Sequence, residues 1–339
     1  MWDKILCNHV DSTSKSELER LFNDPDLSDK RSFSPLHKIV LGFSSINLNS
    51  ELELSTSTID AVDCKGRTAI SWAAARGDLH AVQTLLRYRA NIHLADSWGM
   101  RPLHHAATAK IPSCLEPLLS AGAVVDDVDM RGNCVLATAC MKPDSTEYLK
   151  PIIDFGAEVD ACVHNGTHIL HRAILFDNLP SMKLLLDHGA KLKSADSQEF
   201  TTAMWAICQN SHNVLPALLD RGIRLDSKTR LGQTVLHFTA TRADLRTIQI
   251  LMSANLRGID ILATSRGENF NADERFENRL REKRPKDEAS KTELRAAWKS
   301  LWERAIHQNN EGKGASELRT TSGNKETDPD HFVDAVETL

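Results

Sequence analysis

The sequence predicts an all-α solenoid of about eight stacked helix-turn-helix units, each carrying a β-hairpin tip. Two observations predict it: a fixed period, and a set of parts that recurs in the same order within each period. Gly66, Gly99 and Gly132 are spaced by 33 residues; Gly166 follows after 34, Glu199 takes the slot 33 later, and Gly232 comes after another 33. A unit this short cannot bury its own apolar face, so it must stack on copies of itself.

Each part has a physical reason. Gly stands two residues before a Thr-like position, as in Gly66-x-Thr68 and Gly232-x-Thr234, because a tight turn needs positive φ. Thr or Pro then opens a first helix with an apolar-His-x-Ala pattern: Leu103-His104-His105-Ala106-Ala107, Leu170-His171-Arg172-Ala173, Leu236-His237-Phe238-Thr239-Ala240. Small Ala residues allow close helix approach. Leu pairs at 85–86, 118–119, 185–186 and 218–219 fill the inner face of a second helix. Gly122, Gly156, Gly189 and Gly222 end that helix, and Gly-Ala-x-apolar-Asp returns the chain to the next turn.

These residues resemble the ankyrin repeat family, whose Asp-x-x-Gly-x-Thr-Pro-Leu-His-x-Ala-Ala…Leu-Leu…Gly-Ala pattern they follow over several copies. The resemblance covers residues 32–282, in units 32–62, 63–95, 96–128, 129–162, 163–195, 196–228, 229–262 and a degenerate last one from about 263. Ser34-Pro35-Leu36-His37-Lys38-Ile39-Val40-Leu41-Gly42 leading into Ile59-Asp60-Ala61-Val62-Asp63 is similar to ankyrin-repeat chains of filamentous fungi. Departures mark softer places. Glu199 replaces the turn Gly, Asn255 replaces a helix-ending Gly, and Ser71, Ala137 and Met204 replace the motif His. Pro216 falls inside a second helix, where its missing N–H matters unless it lies in the first turn.

Residues 1–31 are expected to cap the N-terminal end, and 283–307 to form a C-terminal cap helix with Leu294, Ala297, Trp298, Leu301, Trp302 and Ala305 on one stripe. The acidic tail 308–339 is expected to be disordered. Its end, Phe332-Val333-x-x-Val336, has the form of a short docking motif, although an inert tail is the favoured reading. A net charge of −5 gives no general attraction to nucleic acid or to an anionic membrane, and no apolar run approaches 18 residues. The seven scattered Cys residues form no CxxC pair and read as reduced thiols of the cytoplasm or nucleus.

Chemical motifs are scarce. His164, His168 and His171 have a spacing that invites a metal, but zinc wants four ligands and His171 is already the motif His, so no metal or cofactor is expected. No Gly-x-Ser-x-Gly elbow, P-loop or Gly-rich nucleotide motif is present, so no catalytic residue is assigned. Arg279, Arg281, Lys283, Arg284 and Lys286 have the form of a nuclear localisation patch, and equally of a solvated helix face mixed with glutamates.

The resemblance implies which positions bind. The second, third and fifth residues of each unit decorate the hairpin tips; the thirteenth and fourteenth line the concave groove. In units two to seven these thirty positions hold Lys65, Arg67, Arg76, Arg131, Lys142, Arg230 and Arg242 but no Asp or Glu, although the chain has 46 acidic residues against 41 Lys and Arg. They also hold Trp98, Met100, Met130, Phe176 and Phe200, residue types that anchor interfaces. The expectation is a monomeric protein-interaction module or scaffold that takes an acidic segment of a partner, with Trp98 central. Two other classes stay open: an enzyme holding an unrecognised site in this frame, and a regulatory fragment of a larger signalling protein.

Overall fold

The computed structural model describes residues 31–311 apart from 143–144, 162, 164–165, 267–269 and 283–287. The expected N-terminal cap, all but its last residue, and the tail from 312 lie outside the described residues. From Pro35 onward helices follow in pairs: α1 Pro35–Val40 and α2 Leu48–Leu54, α3 Ala69–Arg76 and α4 Leu79–Arg87, α5 Pro102–Thr108 and α6 Leu115–Ser120, α7 Val135–Ala139 and α8 Thr146–Asp154. The series continues with α9 Ile169–Leu175 and α10 Leu179–Asp187, α11 Thr202–Gln209 and α12 Val214–Asp220, α13 Val235–Arg242 and α14 Leu245–Leu251, α15 Ala272–Glu282 and α16 Glu288–Glu311. Odd-numbered helices stack on one another as an inner row, and even-numbered helices form an outer row. One apolar core runs without a break from Phe33 to Ala305.

The two rows differ because they are buried differently. Helix α3 is covered on every side: all residues from Ala69 to Ala75 are buried. Thr68 caps its start by accepting the Ser71 N–H, and Gly77 ends it at φ 71°. Outer helix α4 buries one stripe, Ala81, Val82 and Leu85, and shows its other side to solvent. Between pairs, isolated antiparallel bridges at Val62–Thr68, Val128–Cys134 and Ala195–Thr201 close the tips; among the described residues these hairpins do not grow into a sheet.

Neighbouring tips are joined by backbone hydrogen bonds. Cys64 N–H donates to Arg31 C=O (2.9 Å), Ser97 to Lys65 (2.8 Å), Met130 to Trp98 (2.9 Å), Arg230 to Gln198 (3.1 Å) and Arg266 to Leu231 (2.8 Å). The turn glycines make this approach possible. A Cβ on Gly99 would stand 2.9 Å from the Met130 nitrogen, and Gly99 itself has φ 75°. Glu199 takes the same left-handed conformation at φ 60° with a side chain attached. Its bridge, through Gln198, is the longest of the five.

Aspartates stiffen four of the tips. Asp63 Oδ1 accepts the N–H groups of Lys65 and Arg67, and Asp96, Asp129 and Asp196 repeat the pattern with the residues two and four further on. The motif histidines join tip to helix. Nδ1 of His37, His104, His171 and His237 accepts a backbone N–H from the residue three before it. A nitrogen that accepts carries no proton, so these rings are neutral with hydrogen on Nε2. His37 Nε2 then donates to the Arg67 carbonyl in the next unit (2.9 Å). Burial pushes His37 and His104 below the ordinary value, and His171 down to about 4.

Two expectations change. Pro216 is the third residue of α12, within the first turn, where its missing N–H has no helical acceptor to lose. Helix α16 extends to Glu311, four residues into the segment expected to be disordered, and lies on α14 as the outer partner of α15. Trp298 stacks on Phe276 of α15 at 4.7 Å and donates its N–H to Asp273 (2.7 Å). The α15–α16 pair thus forms an eighth unit, although its residues hardly match the pattern of the others.

Glu199→Gly removes a strained left-handed side chain. The unfolding free energy is expected to rise by up to about 1 kcal/mol, read as a higher urea midpoint at unchanged slope. An unchanged or lower midpoint contradicts that reading. The exposed Arg230–Glu199 contact at 3.9 Å is too weak to mask the gain. The histidines give a pH dependence. Their folded values are lowered, so the unfolded chain takes up protons first. Their contribution is fully present above about pH 6.5 and falls away as the pH drops towards about 4, by about 3 kcal/mol at His171 alone. Urea unfolding at pH 7.0 and 4.5 measures it, and His171→Gln should flatten the profile; equal slopes in the two proteins would show that His171 does not contribute.

Candidate protein-interaction surface

The hairpin tips and the C-terminal ends of the inner helices form one face. Trp98 sits on it, 39% exposed, at the tip before α5. The Lys65 ammonium lies over its ring at 4.9 Å and the Arg67 guanidinium at 5.9 Å, so the indole is held between neighbouring tips. Met130, on the next tip, is 76% exposed. Phe176, which caps the end of α9, is also exposed, as is Met141 beyond α7. Met141 was not among the expected site residues, although its position, thirteenth in its unit, is the signal that finds it.

Several expected residues do other work. Arg67 is buried at 3% exposure. Its Nε lies 3.2 Å from Asp63 Oδ2, and its guanidinium stacks at 3.8 Å on the fully buried Trp72, whose N–H donates to the same carboxylate oxygen. It is a structural ion pair and not a groove cation. Lys142 turns back along the inner row, where its ammonium donates to the Thr108 and Ala109 carbonyls (2.7 Å to Ala109) at the end of α5. A cation there satisfies carbonyls that the helix leaves open and opposes the negative end of its dipole. Tyr148 adds a second donor to Ala109 (2.9 Å). Arg279 repeats the device on α13, donating to the Ala240 and Ala243 carbonyls, so this member of the basic patch faces into the fold. Phe200 is half-buried, with its ring edge-on to Trp205 at 5.4 Å and to Phe238 at 4.6 Å. Met100 is half-buried as well.

The cations that remain on the face are Lys65, Arg76, Arg131 and Arg242, with Arg230 beside Glu199. Arg131 and Arg242 are exposed. The tip aspartates are taken up by their own turns. Asp96, for example, would be raised by burial, but His105 at 3.1 Å and two turn N–H groups hold it below the usual carboxylate range. The face is therefore positive and apolar, without carboxylates that compete for a ligand at the tips of units two and three.

Titratable groups with large shifts lie elsewhere. Burial raises the Cys114 thiol to about 11 and Cys208 to about 12, and raises Cys134 and Cys140 as well. Cys114, Cys134 and Cys140 are buried in the core and Cys208 is half-buried near the end of α11, so these groups are dispersed and not gathered at one cleft. A recess of about 330 Å³ lies between the return loops of units five and six, beside Ser194, Thr201 and Arg224. A second, of about 400 Å³, lies between outer helices α6 and α8, beside Glu116, Lys150 and Phe155. Arg224 is paired to Asp226 at the first. Of the proposed metal-spaced histidines, His164 lies outside the described residues; the His168 and His171 rings meet edge-on at 5.8 Å.

A sequence profile for ankyrin repeats, in three copies, matches residues 45–129 and 136–229, more than half of the chain. The chain belongs to the ankyrin repeat family. The ankyrin repeat domain of human ASB11 has a similar structure: TM-score 0.54 and 26% identity, over 65% of this chain and 100% of that one. Human transient receptor potential cation channel subfamily A member 1 is 26% identical over 64% of this chain and 23% of its own length. The ankyrin repeat domain-containing protein SAT10 of the fungus Stachybotrys chartarum is 35% identical over 44% of this chain and 8% of its own. This ankyrin chain thus spans less than a quarter of either curated relative. Ankyrin repeats generally mediate protein–protein interaction. Among the described residues no helix is long and apolar enough to cross a membrane.

The two kinds of cation are separable by stability. Lys142→Ala should lower the unfolding free energy by about 1–2 kcal/mol, because two carbonyls lose a charged donor. Arg131→Ala should change it by no more than about 0.5 kcal/mol. Equal effects in chemical denaturation would refute the division into structural cations and cations of the face.

Proposed function

We propose that this ankyrin-repeat chain is an interaction module that takes an acidic, partly apolar segment of a partner protein across the tips and inner-helix ends of units two to five. The observation that carries the reading is the juxtaposition at Trp98: an exposed indole, a lysine over its ring, Met130 on the next tip and Arg131 beside it. Apolar anchors supply affinity that resists salt, whereas unpaired cations steer an acidic partner and lose that effect as salt rises. The absence of competing carboxylates at neighbouring tips supports the same choice of ligand. Against catalysis in this frame stands the placement of the shifted thiols and histidines, which are dispersed and not gathered around one open recess.

Arg67 is not a useful probe, because a glutamate there would face Asp63 in a buried site. The test uses a labelled peptide of alternating acidic and aromatic residues, followed by stopped-flow and equilibrium fluorescence. Trp98→Ala should weaken binding by about 2 kcal/mol, roughly thirtyfold. Lys65→Glu with Arg131→Glu should slow association and flatten its dependence on salt, with a smaller effect on dissociation. Binding that is indifferent to both variants, or that maps to the outer helices, would overturn the proposal.

A further inference from the structure

Chemistry of the kind this face selects is present in the chain itself. The last fourteen residues contain Glu326, Asp328, Asp330, Asp334 and Glu337 with no Lys or Arg, and they interleave Phe332, Val333, Val336 and Leu339. They lie outside the described residues, but the structure shows where the chain departs toward them. Helix α16 is pinned near its end: Gln308 accepts the Leu256 N–H (2.7 Å), and Asn309 accepts the Gly258 N–H (2.7 Å) and donates to the Leu256 carbonyl (3.1 Å). Leu256 and Gly258 belong to the return segment that leads to Arg266, whose N–H joins the row of tips at Leu231. The end of α16 therefore lies against the return segment that leads on to the tips.

Length permits the contact. Residues 312–325 span about 45 Å when extended. Inner helices pack about 8–10 Å apart, so three or four steps from α15 back to α9 or α7 take about 30–40 Å. A segment starting at Glu326 reaches Phe176 and Met130, and Phe332 reaches Trp98. The connecting stretch holds Lys313, Arg319 and Lys325 against Glu317 alone, so the acidic charge is concentrated in the distal half.

We infer that the acidic C-terminal segment Glu326–Leu339 docks in cis on the face between Trp98 and Phe176, and so competes with outside partners. Phe332 meets the apolar patch of Trp98 and Met130, and the carboxylates meet Lys65 and Arg131. This rests on the reading that the face takes acidic segments. A covalent tether raises the effective concentration of such a segment to the millimolar range, so even weak docking screens the face.

The full chain is compared with Asp330→Lys/Asp334→Lys/Glu337→Lys in the same chain, changes that lie outside the solenoid. The probes are a labelled peptide of residues 326–339 and the alternating acidic–aromatic peptide above, followed by fluorescence anisotropy. Both should bind the triple variant at least tenfold tighter than the wild-type chain, and Trp98→Ala in the variant should abolish the gain. If both chains bind the peptides equally and Trp98→Ala weakens both, the face takes acidic segments but the tail does not occupy it; this inference fails and the function stands. If only the acidic–aromatic peptide binds, the result is the same. If neither binds, both readings fail. A dimer in sedimentation that the triple variant dissolves would place the segment on a second copy and overturn docking in cis.

Discussion

The backbone hydrogen bond from one tip to the next is the constraint on which the rest depends. It requires an N–H to approach a carbonyl across a turn that has no room for a side chain, which is why glycine with positive φ recurs at the period of the fold. Once the tips are in register, the inner helices come close enough for alanine to be the fitting residue, and Nε2 of His37 is aligned with the next tip's carbonyl. Glu199 shows the constraint by its exception. The same φ is kept with a side chain present, and the bond beside it is longer than its counterparts. Neighbouring units dictate the conformation and local preference yields.

That register also decides what a surface charge is used for. A cation at the fifth position of a unit is near the carboxylate at the first, four residues earlier, and the outcome turns on the tenth position. Trp72 fills it in unit two, covers one face of the Arg67 guanidinium and donates to the Asp63 oxygen, so the arginine is enclosed. In unit three His105 takes the tenth position and pairs with Asp96. Met100 then has no charge to place, and Trp98 is left at the surface. The exposed indole and the buried arginine are two results of one local rule.

The repeating frame was legible because it depends on residues that mean one thing: glycine for positive φ, histidine for the tip, a leucine pair for the outer helix. Trp98, Met130 and Phe176 were legible as exposed because their positions project from tips or helix ends in every unit. Arg67, Lys142 and Phe200 were not. Each is turned inward by partners in its own unit or an adjacent one, at separations from four to 38 residues: Asp63 and Trp72, Thr108 and Ala109, Trp205 and Phe238. A position rule carries no information about such pairs. The second helix of the eighth unit reads as a separate cap for a different reason. That unit's helices are held by Phe276, Trp298 and a few polar contacts, and the charged residues around them obscure the pattern that marks the other units.

Redirection of some cations sharpens the face that is left. Seven basic residues spread along the whole solenoid would attract any acidic surface with little preference for position. With Arg67 neutralised by Asp63, Lys142 set against helix carbonyls and Arg230 beside Glu199, the tip cations gather around Lys65 and Arg131, where Trp98 and Met130 are also exposed. In the proposed function, charge brings an acidic chain to that end of the molecule, and the apolar residues then fix its register. The aspartates that would repel such a chain are engaged inside the turns, held there by the same N–H groups that shape the tips. The requirement that stacks the repeats thereby also clears the surface of competing negative charge.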